Sequence, residues 1–226
     1  MNSAAFGRPF CFFNPNPLPV GADPTRSFRD VDLLIIRHAL PEAEVRDDGP
    51  ADPPLSTLGL RQAEATADFL AGETIDAIVT STMRRAIETG RPLAERLDIC
   101  PEQIGGLKES DHQRASYTPM EDMDEDHEVI REYLEDPLLM FSDGYDTFRD
   151  RISETFDAIV ANHRGEAVAV FCHSMVASVY LQTVLGHDDP FAIICDYCGI
   201  SRVTASSTGI RTLRSVNETA HLRHLP

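Results

Sequence analysis

Apolar positions along this chain change period several times, and the changes mark its elements. Val31 to Ile36 is a short run of branched apolar residues, the pattern of a buried strand. From Thr57 to Leu70 the period is helical. Leu60, Ala63, Ala67 and Leu70 share one face, and Ser56 or Thr57 can cap the start. Ile75 to Thr80 reads as a second strand. Met83 to Leu97 is helical again through Ile87, Leu93, Ala94 and Leu97, and Pro92 inside it predicts a kink or break. Phe148, Ile152, Phe156 and Ile159 mark another amphipathic helix, ending near His163 and Gly165. Ala167 to Phe171 is a third strand, followed at once by Cys172-His173-Ser174 and a helix to about Leu185. Gly199 to Thr204 and Gly209 to Leu213 read as final strands. Residues 39–55 are a Pro-, Asp- and Gly-rich loop. Residues 100–144 are irregular and acidic, with Glu121 to Glu128 taken as a solvated helix start and loop.

Strands alternating with helices predict an α/β fold: a three-layer α/β/α sandwich on a mostly parallel central sheet. The ordered domain is expected over residues 31–226. Residues 1–30, punctuated by Pro and Asn without a period, are expected to form an N-terminal arm. In open α/β sheets, ligands bind outside the carboxyl ends of the strands. Arg37-His38, Thr80-Ser81 through Arg85, and His173-Ser174 all fall there.

Composition narrows the chemistry. The 226 residues suit one domain with a large core. A formal net charge of -17 repels nucleic acid and anionic membranes, so neither is an expected partner. A small anionic substrate would need a local positive cluster. Lys108 is the only lysine, so that cluster must be built from arginine, which suits bidentate phosphate binding. The five cysteines are too few and scattered for a disulfide framework. Cys195 and Cys198 form a lone C-x-x-C in an apolar context, which reads as buried thiols rather than a metal or redox site. No run reaches the ~18 apolar residues of a membrane helix, and the N-terminus lacks the apolar core of a signal peptide. The expected location is the cytoplasm.

Singly, Arg37-His38, Arg84-Arg85 and His173 are unremarkable. If their strands are neighbours, two histidines and two arginines meet in one pocket, with a carboxylate reaching in from the irregular segment. Such a set suits phosphoryl transfer. Three oxygens carry the charge of the transferred group, so several fixed donors must surround it. Two guanidiniums supply forked donors, and a helix start at Ser174 adds backbone N–H groups and a positive dipole end. A neutral histidine held in one tautomer can be the nucleophile, and a carboxylic acid of raised pKa can protonate the leaving oxygen.

At these residues the chain resembles the histidine phosphatase superfamily, the phosphoglycerate mutase-like family, in order from about Val31 to Leu222. LLIIRHALPE is similar to the family's strand followed by Arg-His-Gly. PLSTLGLRQAEA is similar to its "L-T-x-x-G-x-x-Q-A" helix start, and VTSTMRRAIETGRPLAE to its "S-S-x-x-x-R-A-x-x-T-A" motif. GGLKES aligns with the "L-x-E" that carries the acid. VAVFCHSM resembles the strand bearing the second pocket histidine, and NETAHL a frequent closing motif.

The resemblance implies that His38 is phosphorylated, that Arg37, Arg85 and His173 bind the phosphoryl oxygens, and that Glu109 is the acid and then the base. It implies a small phosphorylated substrate and no metal or organic cofactor. Departures are Ala39 for Gly, Ser174 for Gly, Glu42 and Glu44 in the loop after His38, and the absence of the downstream Gly-x-Trp-Glu-Gly. Asp111 is the nearest substitute acid, with Glu121 and Asp122 behind it. A phosphomonoesterase is the leading expectation. A phosphoglycerate-type mutase and a catalytically silent phosphate-binding or scaffold module are the alternatives. Specificity is expected from residues 40–54 and 110–144, and a homodimer is conceivable on general grounds.

Overall fold

The computed structural model describes residues 30–225. The expected arm over residues 1–30 therefore lies, but for Asp30, outside the described residues. The first strand, β1 (Val31–Arg37), is central. After it come β2 (Glu44–Val45), α1 (Thr57–Leu70), β3 (Ala77–Ser81), α2 (Arg84–Leu97) and β4 (Glu102–Ile104). The acidic middle contributes β5 (Ser116–Tyr117) and α3 (Glu128–Glu135). The chain then forms α4 (Tyr145–Asn162), β6 (Ala167–Cys172), α5 (Ser174–Leu185), β7 (Ile200–Ala205) and β8 (Arg211–Glu218).

Six strands make one sheet in the order β4-β3-β6-β1-β7-β8. β4, β3, β6 and β1 run parallel, while β7 is antiparallel to both β1 and β8. Alternation along the strands builds the three layers. Val31, Leu33 and Ile35 of β1, with Val168 and Val170 of β6, join Phe148, Ile152 and Phe156 of α4 and Val176 and Val179 of α5. Leu34 and Ile36, with Ala169 and Phe171, face Ala67 and Leu70 of α1 and Leu93 of α2. Both strands are apolar on both faces because helices cover both faces.

Helix α1 starts where the capping pattern places it: Ser56 Oγ accepts from Gly59 N (3.0 Å). Helix α2 runs unbroken through Pro92, against expectation. Its neighbours on the buried side, Leu93 and Ala94, are in the core, so packing outweighs the lost backbone hydrogen bond. The segment 100–144 is more regular than its acidity suggests. Helix α3 is short and has no buried residue. β5 pairs antiparallel with β2, Glu44 opposite Tyr117, so the two stretches expected to set specificity form one ribbon.

Candidate active site

β3, β6 and β1 are adjacent and parallel, so their carboxyl ends bring Arg85, His173 and Arg37-His38 together. The loop leaving β1 is tightly held. Thr89 Oγ1 accepts from Ala39 N (2.9 Å) and donates to Arg85 O (2.7 Å). Gln62 Oε1 accepts from Leu40 N (2.9 Å), and Ser56 Oγ donates to Leu40 O (3.0 Å). A Cβ on Gly59 would lie 2.0 Å from Leu40 O, so only glycine lets α1 approach this loop. Ser56, Gly59, Gln62 and Thr89 thus fix the backbone beside His38. Ala39 is fully buried and is not among the residues of positive φ, so the missing glycine costs no backbone strain.

His38 is buried. Its Nδ1–H donates to Ala39 O (2.8 Å), which leaves the Nε2 lone pair free to accept from Arg85 Nε (3.2 Å). Burial, then Arg85 and Arg37, pushes its pKa well below the ordinary histidine value, so the ring is neutral at pH 7. His173 packs edge-on against it, ring centroids 5.1 Å apart, and is lowered well below the ordinary value by burial and the same arginines. Arg85 is fully buried, its Nη2 on Asp111 Oδ1 (3.2 Å) and its Cζ 4.7 Å from the Tyr117 ring centroid. Arg37 donates Nη1–H to Cys195 O (2.7 Å) and lies over Tyr197, Cζ 3.8 Å from the ring centroid. Both nitrogens of His173, Arg37 Nε and Arg85 Nη1 are buried without a partner in the protein. Buried donors are normally paired, so this convergence fits an anion that accepts several hydrogen bonds at once.

Glu109 is buried next to the start of α5. Its oxygens accept from Ser110 N (2.8 Å) and Met175 N (3.0 Å). These bonds favour the carboxylate, yet burial and then Asp111 outweigh them and raise the pKa to about 7. Asp111, the substitute acid, is instead ion-paired with Arg85. Ser174 is the first residue of α5 and lines the cavity that holds His38, Arg85, Arg37 and Glu109, of about 610 Å³. Neither Glu42 nor Glu44 is among the described residues lining it. Glu44 accepts from Asp52 N (2.6 Å).

Two aromatic residues at this site carried no sequence signal: Tyr117 sits in the irregular segment and Tyr197 between two buried cysteines. The remaining histidines divide by environment. His187 and His224 are exposed. His112, His127 and His163 are half-buried because each caps or bridges something: His112 Nδ1–H donates to Glu109 O (2.9 Å), His127 Nδ1 accepts from Val129 N (3.3 Å), and His163 meets Glu166 (2.8 Å). His221 contacts Thr66 Oγ1 (3.2 Å) and stacks on Phe69, a packing position away from the cavity. Cys195 and Cys198 are free buried thiols.

The family model of the histidine phosphatase superfamily (branch 1) matches residues 33–219. The chain belongs to that superfamily. A phosphoserine phosphatase 1 of Hydrogenobacter thermophilus is 27% identical over 164 residues, covering 70% of this chain and 78% of that protein. Among solved structures, a mycobacterial glucosyl-3-phosphoglycerate phosphatase superposes with a TM-score of 0.66 at 20% identity, over 84% of this chain and 100% of that one. A phosphoglycerate mutase of Bacillus anthracis gives 0.66 at 19% identity, over 86% and 96%. At these identities the superpositions show the shared fold. Superfamily membership makes this chain a histidine-phosphatase-type enzyme. No helix among the described residues is long and apolar enough to cross a membrane.

Proposed function

We propose that the chain is a phosphomonoester hydrolase working through phosphorylated His38. The observation that supports this best is the neutral, singly oriented imidazole of His38 beside arginines and a histidine that keep buried nitrogens without a partner, namely Arg37 Nε, Arg85 Nη1 and those of His173. Arg37, Arg85 and His173 bind the phosphoryl oxygens, with the N-terminus of α5 at Ser174 adding its positive end. An incoming anion competes for the Arg85 guanidinium and releases the His38 Nε2 lone pair. That nitrogen forms the P–N bond as the ester P–O bond breaks. Protonated Glu109 gives its proton to the departing oxygen. The carboxylate so formed then takes a proton from water as the water oxygen attacks phosphorus. The P–N bond breaks, and phosphate, neutral His38 and protonated Glu109 result. A pKa near 7 lets one carboxyl group serve both steps.

A mutase must hold a second charged group of its substrate. Arg114, the further arginine lining the cavity, is instead engaged by Glu132 and by Leu139 O (3.5 Å). This favours hydrolysis. The test is hydrolysis of p-nitrophenyl phosphate by wild type and His38→Ala. Phosphate release by wild type alone, with acid-labile label trapped on His38, is the expected result. Equal activity in both proteins would refute the assignment.

A further inference from the structure

The cavity has two unlike ends. One is the guanidinium and imidazole cluster at His38. The other is walled by Met123, Val129, Ile130, Tyr133, Met140 and Phe191. Helix α3 supplies three of these, and its charged Glu128, Arg131 and Glu135 are exposed. Tyr133 meets Phe191 edge-on, with centroids 5.4 Å apart. A wall of this kind is ordinarily turned to a core, yet Tyr133 remains 40% exposed and Ile194, also in the lining, 52%.

Charge at this end points the same way. Arg114 is neutralised by Glu132, and His127 is occupied as the cap of α3. The carboxylates among the lining residues are Glu109, Asp111, which pairs with Arg85, and Glu121, which accepts from the Tyr197 hydroxyl (3.4 Å). A second anionic group on the substrate would meet carboxylates and engaged cations. A hydrocarbon group would remove apolar wall from water.

We infer, given the hydrolase reading above, that the substrate is a phosphomonoester of an uncharged, largely apolar alcohol. Its phosphoryl group sits at His38 and its hydrocarbon part lies along α3 and Phe191. Specificity then comes from burial of methylene or aryl surface, and small sugar-acid or amino-acid phosphates are poor substrates.

The test is kcat/KM for ethyl, butyl, hexyl and octyl phosphate, with p-nitrophenyl phosphate as a generic control and phosphoserine and 3-phosphoglycerate as charged competitors. The n-alkyl esters share nearly one leaving-group basicity, so chain length reads burial alone. A rise of about fourfold per buried methylene is expected, with hexyl phosphate preferred over both charged esters. In Ile130→Asp the slope should flatten. A flat series, or preference for a charged ester, while p-nitrophenyl phosphate is still hydrolysed, overturns this inference and leaves the hydrolase standing. A slope that Ile130→Asp does not alter overturns the placement along α3. If p-nitrophenyl phosphate is not hydrolysed and no phosphohistidine forms, the hydrolase reading fails and this inference with it.

Discussion

Replacing Glu109 by Gln tests the central electrostatic argument twice. The carboxyl is held in a buried site, and burial and Asp111 raise its pKa from 4.5 to about 7. In the folded protein, ionising it is therefore unfavourable by ~3 kcal/mol relative to the unfolded chain. Between these two pKa values the native state keeps a proton that the unfolded state has lost. Stability from this group is thus complete below pH 4.5 and lost as pH rises through about 7. Glutamine has no such dependence. Its amide must, however, turn an NH₂ towards Ser110 N–H or Met175 N–H, both of which now donate to the carboxylate. That adds a pH-independent penalty of ~1–3 kcal/mol. The informative quantity is therefore the difference in unfolding free energy between the two proteins as pH changes, measured by urea denaturation. The variant should gain ~3 kcal/mol on wild type between pH 4.5 and pH 8. Titrating groups remote from Glu109 are common to both proteins and cancel. In catalysis, the variant should lose ~10²–10⁴-fold on alkyl phosphates, whose leaving oxygen needs a proton, and less on p-nitrophenyl phosphate. A pH-independent stability difference would refute the raised pKa, and equal losses on both ester classes would refute the role as acid.

Arg85→Lys should lower single-turnover phosphorylation ~10²–10³-fold, because one ammonium cannot reach His38, Asp111 and a phosphoryl oxygen together; near-wild-type rates would remove Arg85 from the phosphate site. Gly59→Ala should cost ~1–3 kcal/mol in urea denaturation and lower kcat, since its Cβ would collide with Leu40 O in the loop that carries His38. Gly72→Ala, where a Cβ meets nothing within 4 Å, is the matched control and should stay within ~0.5 kcal/mol of wild type.

What the sequence made legible follows from how local its signals are. The bounds of helix α1 were readable because its capping serine and most of its apolar face lie within the segment itself, although Leu60, expected on that face, is exposed and Gly59 and Thr66 are buried instead. The clustering of Arg37, His38, Arg85 and His173 was readable once strands were recognised, since parallel strands deliver their carboxyl ends to one edge. The β2–β5 ribbon was not. Each strand has two residues, and its existence depends on a partner some seventy positions away, a long-range pairing that no periodicity records. Tyr117 and Tyr197 were hidden for the same reason: what matters about them is the arginine beneath each ring. Proposing Glu109 over Asp111 as the acid rests on which carboxylate is buried and which is paired, a difference of environment and not of spacing.

The sheet order also has a consequence for how the molecule is made. β1 is the first sheet strand among the described residues, but its neighbours are β6 and β7. During synthesis its apolar edges stay unpaired until residues 167–172 and then 200–205 have been added. Until then the chain exposes a branched apolar strand with two open edges, the species most prone to aggregate. The phosphate site proposed around His38 is incomplete before that point, because His173 arrives with β6. Truncation before β6 should therefore yield insoluble protein rather than a weakly active fragment, and refolding should be slow, as expected for contacts this distant in sequence.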